Sequence, residues 1–330
     1  MSALPATMKA VEISAPGGPE VLKPVERPLP NIKAHEVLIK VKATGINGPD
    51  IMQRKGLYPA PAGASDLPGL EVSGEIVAKG ASVTRWSAGD LVVALTNGGG
   101  YAEYVAVDAE HCMSVPKGIS LLDAAGLPET FFTVWSNVFI GAGLKAGETF
   151  LVHGGAGGIG TTCIQLGKAF GAKVIATDSP ADRCRICSDL GADRVVDYRA
   201  EDFVEAVRSE GGANVILDIV GGANIEKNFK AASHDARIIQ LAFAAGSKVE
   251  INLMPVMLKR LTYTGSTLRT RPDAYKARIA RELEAQVWPK IAEGSIRVVT
   301  YKALPLAEAA QAHALMESSG HTGKILLQVY

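Results

Sequence analysis

The 330-residue sequence is poor in several features that would decide its class at once. Four cysteines are too few for a disulfide framework in a chain of this length, so we expect a reducing compartment and a cytoplasmic protein. No charge of one sign dominates, because 34 basic residues balance 34 acidic ones, and this argues against a nucleic-acid binder. No uncharged run is apolar enough for a membrane helix, and the first residues lack the pattern of a signal peptide. We therefore expect neither nucleic-acid nor membrane partners.

The composition that is present belongs to a chain with a large buried core. Hydrophobic residues make up 47% of the sequence and charged residues 21%. The length exceeds twice that of a typical domain of about 150 residues, so we expect two domains. The 35 glycines follow no regular period, and they predict turns and places where backbones approach each other closely.

The predicted secondary structure changes near Ser120. From Met8 to about Gly118, short β-branched runs are separated by Gly, Pro, Asn and Asp, which predicts an irregular β-rich unit. From residue 149 onward, strands alternate with helices, and this alternation predicts an α/β fold with a parallel sheet covered by helices on both faces. One long charged helix is predicted over 273–294, and a last strand is predicted over 324–330.

The most informative motif is a glycine-rich loop between the first predicted strand of this α/β region and its helix. Gly155, Gly157 and Gly160 have the G-x-G-x-x-G spacing that lets a backbone turn sharply and approach a pyrophosphate. The helix then presents its free N–H groups to the phosphates. Because a strand precedes the loop and a helix follows it, we interpret the loop as a nucleotide site rather than an ordinary turn. The predicted contacts are Gly154, Gly155, Ala156, Gly157, Gly158, Ile159 and Gly160.

The end of the next strand bears on which dinucleotide binds. Asp178 stands where a carboxylate usually accepts hydrogen bonds from a ribose 2′-hydroxyl and repels a 2′-phosphate. Arg183 and Tyr198 could bind a 2′-phosphate at the same end of the ribose. Alternatively, Asp178 caps the helix that starts at Pro180. These residues alone leave NADH and NADPH both open.

Several stretches together resemble a known family. They are the turn GINGPD (45–50), residues 52–65, 68–76 and 215–222, the glycine loop, and residues 267–271 and 323–325. On these stretches the chain resembles the zinc-independent quinone oxidoreductases of the medium-chain dehydrogenase/reductases. It is especially similar to the branch that holds the tumour-suppressor-induced quinone reductase of animals. The resemblance covers nearly the whole chain from Met8 onward.

The resemblance implies both a fold and a reaction. It implies a GroES-like β-rich catalytic domain over 1–128 and 272–330, and a Rossmann domain with a doubly wound parallel sheet over 129–271. It also implies hydride transfer from C4 of a nicotinamide to a quinone, in which the protein orients the two rings and excludes water.

The same resemblance argues against a metal site. Zinc-dependent relatives carry a Cys and a His where this chain has Asn47 and Leu70, so no zinc is expected. The pair Cys184 and Cys187 has no second pair or His cluster at zinc spacing. Without zinc, oxidation of an alcohol loses its Lewis acid, and reduction of an already electrophilic acceptor is favoured.

The predicted cofactor is NADPH, with NADH as the alternative. The branch has a small neutral residue where this chain has Asp178, and that departure disfavours a 2′-phosphate. Arg183 keeps the family's cation and Tyr198 keeps its phosphate-contacting tyrosine. We favour NADPH because a guanidinium is a good phosphate donor.

Other positions take their expected roles from the family. Asn47 and Tyr58 are the predicted catalytic residues, and each would contact the cofactor or the acceptor oxygen. An Asn in a turn can instead serve its own backbone, and a Tyr on a loop can pack on the surface. Further cofactor contacts are expected from a helical threonine, the end of the last strand of the nucleotide domain and two cations, namely Thr133, Leu241, Ala242, Phe243, Arg269 and Lys324.

Each of these further contacts has a structural alternative. Thr133 can bond a backbone carbonyl one turn back in its helix. Phe243 can be a core residue. Arg269 and Lys324 can be solvated cations.

Two other functions remain open, as does the assembly. An enone or 2-alkenal reductase needs a positioned proton donor for the α-carbon, and Tyr58 is the candidate. A nucleotide-binding structural protein without turnover would keep the same loop. We also expect a homo-oligomer, paired through the edge of the Rossmann sheet or through residues 324–329 as an edge strand.

Overall fold

The computed structural model describes residues 4–330, and within them the chain forms fifteen strands and eleven α-helices. The strands are β1 (Thr7–Ile13), β2 (Leu22–Pro28), β3 (Glu36–Gly45), β4 (Glu71–Lys79), β5 (Leu91–Leu95), β6 (Tyr104–Asp108), β7 (Cys112–Ser114), β8 (Thr149–His153), β9 (Lys173–Asp178), β10 (Arg194–Asp197), β11 (Ala213–Asp218), β12 (Ala232–Gln240), β13 (Thr262–Gly265), β14 (Thr300–Pro305) and β15 (Lys324–Gln328). The helices are α1 (Gly48–Arg54), α2 (Leu121–Ala124), α3 (Pro128–Val134), α4 (Gly158–Ala169), α5 (Ala181–Asp189), α6 (Phe203–Ser209), α7 (Asn224–Ala231), α8 (Met254–Lys259), α9 (Asp273–Gln286), α10 (Trp288–Ala292) and α11 (Ala309–Glu317).

The chain divides into two compact units. The first takes the chain up to Phe132 together with Arg269–Glu293 and Val298–Tyr330, and the second takes Thr133–Leu268 and Gly294–Arg297. The limits of the units therefore fall at 132 and 269, near the predicted domain limits of 128 and 272. The differences assign residues 129–132 and 269–271 to the first unit, and the return of residues 294–297 to the second unit has no counterpart in the predicted limits.

The second unit is built on a six-stranded parallel sheet in the order β10-β9-β8-β11-β12-β13. Numbered along the chain, this is the order 3-2-1-4-5-6 of doubly wound dinucleotide-binding sheets. The central strand β8 is buried along its whole length, as expected for a parallel strand covered on both faces. The predicted α/β fold is confirmed.

The first unit holds a seven-stranded sheet in the order β14-β15-β3-β4-β5-β7, with β6 also on β3, and a separate β1–β2 hairpin. Strand β15 lies inside this sheet, parallel to β14 and antiparallel to β3. Its residues Ile325, Leu326 and Leu327 are all buried, because both faces of the strand are apolar. The expectation that residues 324–329 form an edge strand is therefore wrong.

Two other expectations differ from the structure. The long helix predicted over 273–294 is two helices, α9 and α10, because Pro289 lies in the first turn of α10 and cannot continue α9. Helix α8 and strand β13 have no counterpart in the prediction.

Two further features concern the cysteines and the helices. All four cysteines are free thiols. Across residues 4–330, none of the helices has both the length and the apolar character required for a membrane crossing.

Candidate active site

The glycine loop follows β8 and leads into α4. Gly154 leaves the strand with a φ of +72°, in the left-handed region that favours glycine. Gly160 marks the close approach of α4 to the loop, since a Cβ there would lie 2.1 Å from the Gly154 carbonyl oxygen. The fold itself requires glycine at both positions.

Gly157 has a different reason to lack a side chain. Its φ of −76° and ψ of 175° suit any residue. A Cβ at this position would meet nothing closer than the Gly154 carbonyl oxygen, at 3.5 Å. Gly157 precedes the first turn of α4, whose N–H groups have no carbonyl one turn back and attract phosphates. The free space at Gly157 therefore fits the predicted pyrophosphate site.

Asp178 anchors the loop from the end of β9. Its buried carboxylate accepts the Ala156 N–H at 2.8 Å, the Ser179 N–H at 2.8 Å and the Arg183 Nε–H at 2.6 Å. Helix α5 begins after Pro180, where no side chain caps the helix. The alternative role of Asp178 as a helix cap is therefore wrong.

The residues predicted to discriminate between NADPH and NADH lie around this ion pair. The Arg183 side chain is 16% exposed and that of Asp178 is 5% exposed, so the guanidinium shields the carboxylate from solvent. Tyr198 is 53% exposed, and its N–H donates to the Asp178 carbonyl oxygen at 3.3 Å. The buried Ser179 Oγ has no hydrogen-bond partner within residues 4–330. The surroundings of Asp178 thus hold a cation, an exposed tyrosine and an unpaired hydroxyl. These groups suit a ribose that carries a phosphate.

The other predicted contacts of the second unit lie on loops or helix surfaces. Strand β12 ends at Gln240, and β13 extends the sheet beyond it, so residues 241–243 follow the fifth strand rather than the last. Leu241 donates its N–H to the Asp218 carbonyl oxygen at 2.9 Å, and the Ala242 carbonyl accepts the Gln240 side chain. Phe243 is 46% exposed, so its alternative role as a core residue is wrong.

Thr133 lies near the end of α3. Its hydroxyl makes no hydrogen bond to another residue of the described chain, so the bond to a carbonyl one turn back is not observed. The side chain is partly exposed.

In the first unit, Lys324 ties together two strands and a turn. Its Nζ donates to Glu71 Oε1 at 2.7 Å, to Asn47 Oδ1 at 2.5 Å and to the Ile46 carbonyl oxygen at 3.2 Å. Asn47 Nδ2 also donates to Glu71 Oε1, at 2.9 Å. All three side chains are buried, so the alternative of a solvated cation is wrong for Lys324.

Arg269 and Tyr58 form a second group in this unit. The buried Arg269 guanidinium donates to the Asn97 carbonyl oxygen at 2.6 and 3.0 Å and to Gln53 Oε1 at 2.9 Å, so it is not a solvated cation either. It lies 5.6 Å from the centroid of the Tyr58 ring, within the range of a cation–π contact. Tyr58 is partly buried over this guanidinium, and burial raises its pKa.

Three carboxyl groups at this site were missed by the sequence analysis. Asp50 accepts the N–H groups of Asn47 and Gly69, each at 2.9 Å, and burial raises its pKa to about 6. Glu71 accepts, besides Lys324, the Glu129 N–H at 2.8 Å. Burial and the neighbouring carboxylates of Glu71 and Asp50 raise the pKa of Glu129 to about 8.

A sequence signal existed for one of the three. Glu71 lies between Leu70 and Val72 in a segment predicted as a strand, and a buried acid there must have a partner. Glu129 follows Pro128, and a Pro-Glu pair is an ordinary helix start. Nothing in its surroundings in the sequence distinguishes Glu129 from a solvated residue.

The two positions where zinc-dependent relatives carry ligands have other contacts here. Asn47 contacts Lys324 and Glu71, and Leu70 is buried. In the part of the chain that the structure describes, no group of three His, Cys, Asp or Glu side chains could hold a metal ion.

Comparison with known proteins identifies the family. Residues 33–117 match the alcohol dehydrogenase GroES-like domain, and residues 158–285 match the zinc-binding dehydrogenase domain. The quinone oxidoreductase of Homo sapiens is 32% identical over 331 residues, which cover 97% of each chain. The chain therefore belongs to the quinone oxidoreductase family, with a GroES-like and a Rossmann-type domain, as the sequence motifs predict.

Solved structures are similar to this protein over nearly its whole length. Escherichia coli quinone oxidoreductase complexed with NADPH has a TM-score of 0.86 and 30% identity, covering 97% of this chain and 100% of that chain. An NAD-dependent alcohol dehydrogenase has a TM-score of 0.87 and 31% identity, covering 98% and 100%. One of these similar proteins is thus described as NAD-dependent and the other is complexed with NADPH.

Proposed function

We propose that the protein is an NAD(P)H-dependent quinone oxidoreductase that works without zinc. The observation that carries this proposal is the free space at Gly157, before the first turn of α4, in a chain of the quinone oxidoreductase family. A bound nicotinamide dinucleotide would supply the hydride, and the chain's own residues would bind it and orient the acceptor. The acceptor would be a small-molecule quinone. The four free thiols support a cytoplasmic location.

Each group of residues has a proposed task. The N–H groups of residues 158–160, in the first turn of α4, would bind the pyrophosphate, because those of residues 154–157 already donate within the chain. The backbone of residues 241–243 would hold the carboxamide, with Thr133 near the nicotinamide. In the first unit, the Asn47 amide is already bonded to Lys324 and Glu71, which leaves Tyr58 as the side chain to meet the acceptor. Lys324 would position Asn47, and Arg269 would position Tyr58.

The cofactor proposed is NADPH, with NADH as the alternative. Three features support it: the guanidinium of Arg183, the exposed Tyr198 and the unpaired hydroxyl of Ser179. The charge of Asp178, which argues for NADH, is offset by Arg183 at 2.6 Å.

Activity is expected to survive removal of metal ions. The protein should oxidise NADPH with a panel of quinones, and dialysis against a strong chelator should leave kcat and KM unchanged, because Lys324 supplies the cation that Glu71 and Asn47 contact. Steady-state kinetics and elemental analysis of the same sample would measure this. A loss of turnover that added zinc restores would overturn the zinc-free assignment, and NADPH binding without turnover on any acceptor would indicate a structural protein.

A homodimer is part of the proposal. Strand β13 is an edge of its sheet and all four of its residues are exposed, so its backbone is open to pairing. The preceding segment exposes a group of large apolar side chains, each 53–66% accessible: Leu253, Met254, Met257 and Leu258. Two β13 edges paired across a two-fold axis would cover this group.

Charges placed in this apolar group should therefore give a monomer. The double substitution Met257→Asp and Leu258→Asp is expected to halve the mass measured by light scattering after gel filtration. Leu91→Asp is the control, because Leu91 is also an exposed leucine, at 50%, but lies at the start of β5 in the first unit. A wild-type monomer, or a double variant that keeps the wild-type mass, would contradict the dimer.

A further inference from the structure

Four buried polar side chains form a row at the carboxyl ends of three strands of the second unit. Thr177 of β9 and His153, the last residue of β8, are register partners, and Asp218 is the last residue of β11. Asn228 of α7 bonds both His153 and Asp218. All four residues are at most 2% exposed. Because a buried polar group is costly without a partner, the contacts of this polar row indicate what it does.

The hydrogen bonds of the polar row all run in one direction. The Asp218 carboxylate accepts, so Asn228 turns its Nδ2 towards Asp218 Oδ2, at 2.9 Å, and its Oδ1 towards His153. His153 Nε2 therefore carries the proton and donates to Asn228 Oδ1 at 2.8 Å. Burial lowers the pKa of His153, against the opposing effect of the Asp218 charge, and keeps the ring neutral. Its Nδ1 then accepts the Thr177 hydroxyl, also at 2.8 Å.

Each end of the polar row is bonded to one loop. The Thr177 carbonyl oxygen accepts the N–H groups of residues 154 and 155, at 2.9 and 3.0 Å, which fixes the start of the glycine loop. At the other end, Asp218 Oδ1 accepts the N–H groups of residues 220 and 221, at 2.6 and 3.1 Å, in the loop after β11. The polar row thus connects two loops that follow different strands.

The loop after β11 is itself bonded to the loop after β12. The Leu241 N–H donates to the Asp218 carbonyl oxygen at 2.9 Å, and the Ala245 N–H donates to the Val220 carbonyl oxygen at 2.7 Å. The polar row therefore joins the glycine loop, which leads to the proposed pyrophosphate site, to residues 241–243, which are proposed to hold the carboxamide.

Packing alone does not require a histidine at position 153. The preceding residues of the strand, Phe150, Leu151 and Val152, are apolar and fully buried. The His153 ring also packs edge-on against Phe203, with the ring centroids 4.8 Å apart. An apolar side chain of similar volume would fill such a place without needing polar partners. What the histidine adds is its pair of directed hydrogen bonds.

We propose that His153 and Asn228 are positioning residues of the dinucleotide site, which hold the two loops in one fixed relation so that the pyrophosphate and the nicotinamide bind together. The inference rests on the proposed binding of a nicotinamide dinucleotide. The second end of such a ligand gains affinity only where the groups that receive it are already at the matching distance. Ordering a loosened loop costs binding free energy, and the polar row avoids this cost.

The test separates the nicotinamide from the rest of the ligand. NADPH and 2′-phospho-ADP-ribose share the adenosine, the 2′-phosphate and the pyrophosphate, and only NADPH carries the nicotinamide. The ratio of the Kd of 2′-phospho-ADP-ribose to the Kd of NADPH therefore measures what the nicotinamide contributes. In His153→Leu this ratio should fall about tenfold or more. The Kd of 2′-phospho-ADP-ribose should stay within threefold of wild type, because Asp178 still holds the loop through the Ala156 N–H. NADH and ADP-ribose are the equivalent pair for a protein that prefers NADH.

Further variants show whether the polar row acts as a whole. Thr177→Val keeps the shape of the side chain and removes only the hydroxyl, and it should also lower the ratio. Combining His153→Leu with Asn228→Leu should lower the ratio no further than either change alone, since each already interrupts the same row. His153→Gln can still donate to Asn228 and should recover part of the ratio. His234→Leu, at an exposed position of the same unit, is the control and should keep the wild-type ratio. Melting curves would show that each variant is folded.

Nitrogen NMR of isotope-labelled histidines gives an independent readout. The signal of His153, identified by its loss in His153→Gln, should show a protonated Nε2 and an unprotonated Nδ1. The opposite tautomer would overturn the proposal. So would a wild-type ratio near one, a ratio that is unchanged in both His153→Leu and Thr177→Val, or an equal loss of affinity for both ligands, and each of these would leave dinucleotide binding intact. A wild type that binds neither pair of ligands would overturn the proposed function as well.

Discussion

The variant Gly157→Val is expected to bind NADPH at least about 100-fold more weakly than wild type while keeping its fold. The branched side chain would occupy the space in front of the first turn of α4, where the phosphates meet the helix N–H groups. A charge-assisted hydrogen bond contributes about 1.5–3 kcal/mol, so the loss of two reaches about 3–6 kcal/mol, and each 1.4 kcal/mol is a factor of ten.

The fold should survive because nothing in it needs glycine at this position. The φ of −76° suits valine, and the nearest atom to its Cβ is 3.5 Å away. Gly160→Val should behave differently, since its Cβ would lie 2.1 Å from the Gly154 carbonyl oxygen, and this variant should lower the melting temperature. Gly320→Val is the matched control, because Gly320 is exposed and a Cβ there meets nothing closer than Ser318 Oγ at 3.7 Å.

Titration of NADPH fluorescence and thermal melting of the three variants would measure both effects. Unchanged NADPH affinity in a folded Gly157→Val protein would show that the loop is only a turn. A Gly157→Val protein that melts as early as Gly160→Val would show that our account of its free space is wrong.

Arg183→Ala is expected to raise the KM for NADPH about tenfold or more and to leave that for NADH nearly unchanged. A guanidinium holds a 2′-phosphate through charge-assisted hydrogen bonds of about 1.5–3 kcal/mol, and NADH has no such phosphate. The substitution also uncovers the Asp178 carboxylate, which then repels the phosphate without a counter-charge.

The opposite change is expected from Asp178→Asn. The amide oxygen can still accept the Ala156 N–H that the carboxylate accepts at 2.8 Å, so the loop keeps its anchor. With the negative charge gone and Arg183 released from its ion pair, the preference should shift towards NADPH. Arg185→Ala is the control, since Arg185 lies on the same helix with its side chain 74% exposed.

The measurement is the ratio of kcat/KM for NADPH to that for NADH in wild type and the three variants. We expect the ratio to fall in Arg183→Ala, rise in Asp178→Asn and stay constant in Arg185→Ala. If neither Arg183→Ala nor Asp178→Asn changes the ratio, the adenosine ribose does not bind beside Asp178 and Arg183.

Sequence patterns predicted the parts of this protein that are encoded locally. The glycine spacing at 155, 157 and 160 sets a strand-loop-helix unit by short-range sterics, and the β/α alternation sets the parallel sheet. The same patterns failed where a residue's environment comes from distant segments. Arg269 meets Asn97, and Lys324 meets Glu71, so nothing near either cation in the chain indicates that it is buried.

Other features were also missed. The side chains of Asp178 and Arg183, five residues apart along the chain, form an ion pair that the sequence patterns did not predict. Glu129 was overlooked because its raised pKa comes from burial in the fold and from Glu71 and Asp50, each more than fifty residues earlier. The apolar run of β15 shows that the strand is buried, and it does not show which strands lie beside it.

The position of β15 has a consequence for how the protein is made. The strands of the first unit are split along the chain: β1 to β7 precede the second unit's sheet, whereas β15, which lies between β14 and β3, follows it. Until β15 arrives, residues 43–45 of β3 lack the strand that pairs with them there, and Glu71 lacks the Lys324 ammonium that contacts it. The sheet of the second unit, whose six strands lie between residues 149 and 265, is translated in one stretch and can form earlier. The first unit is therefore completed only when β15 has been made, whereas all six strands of the second unit precede that point.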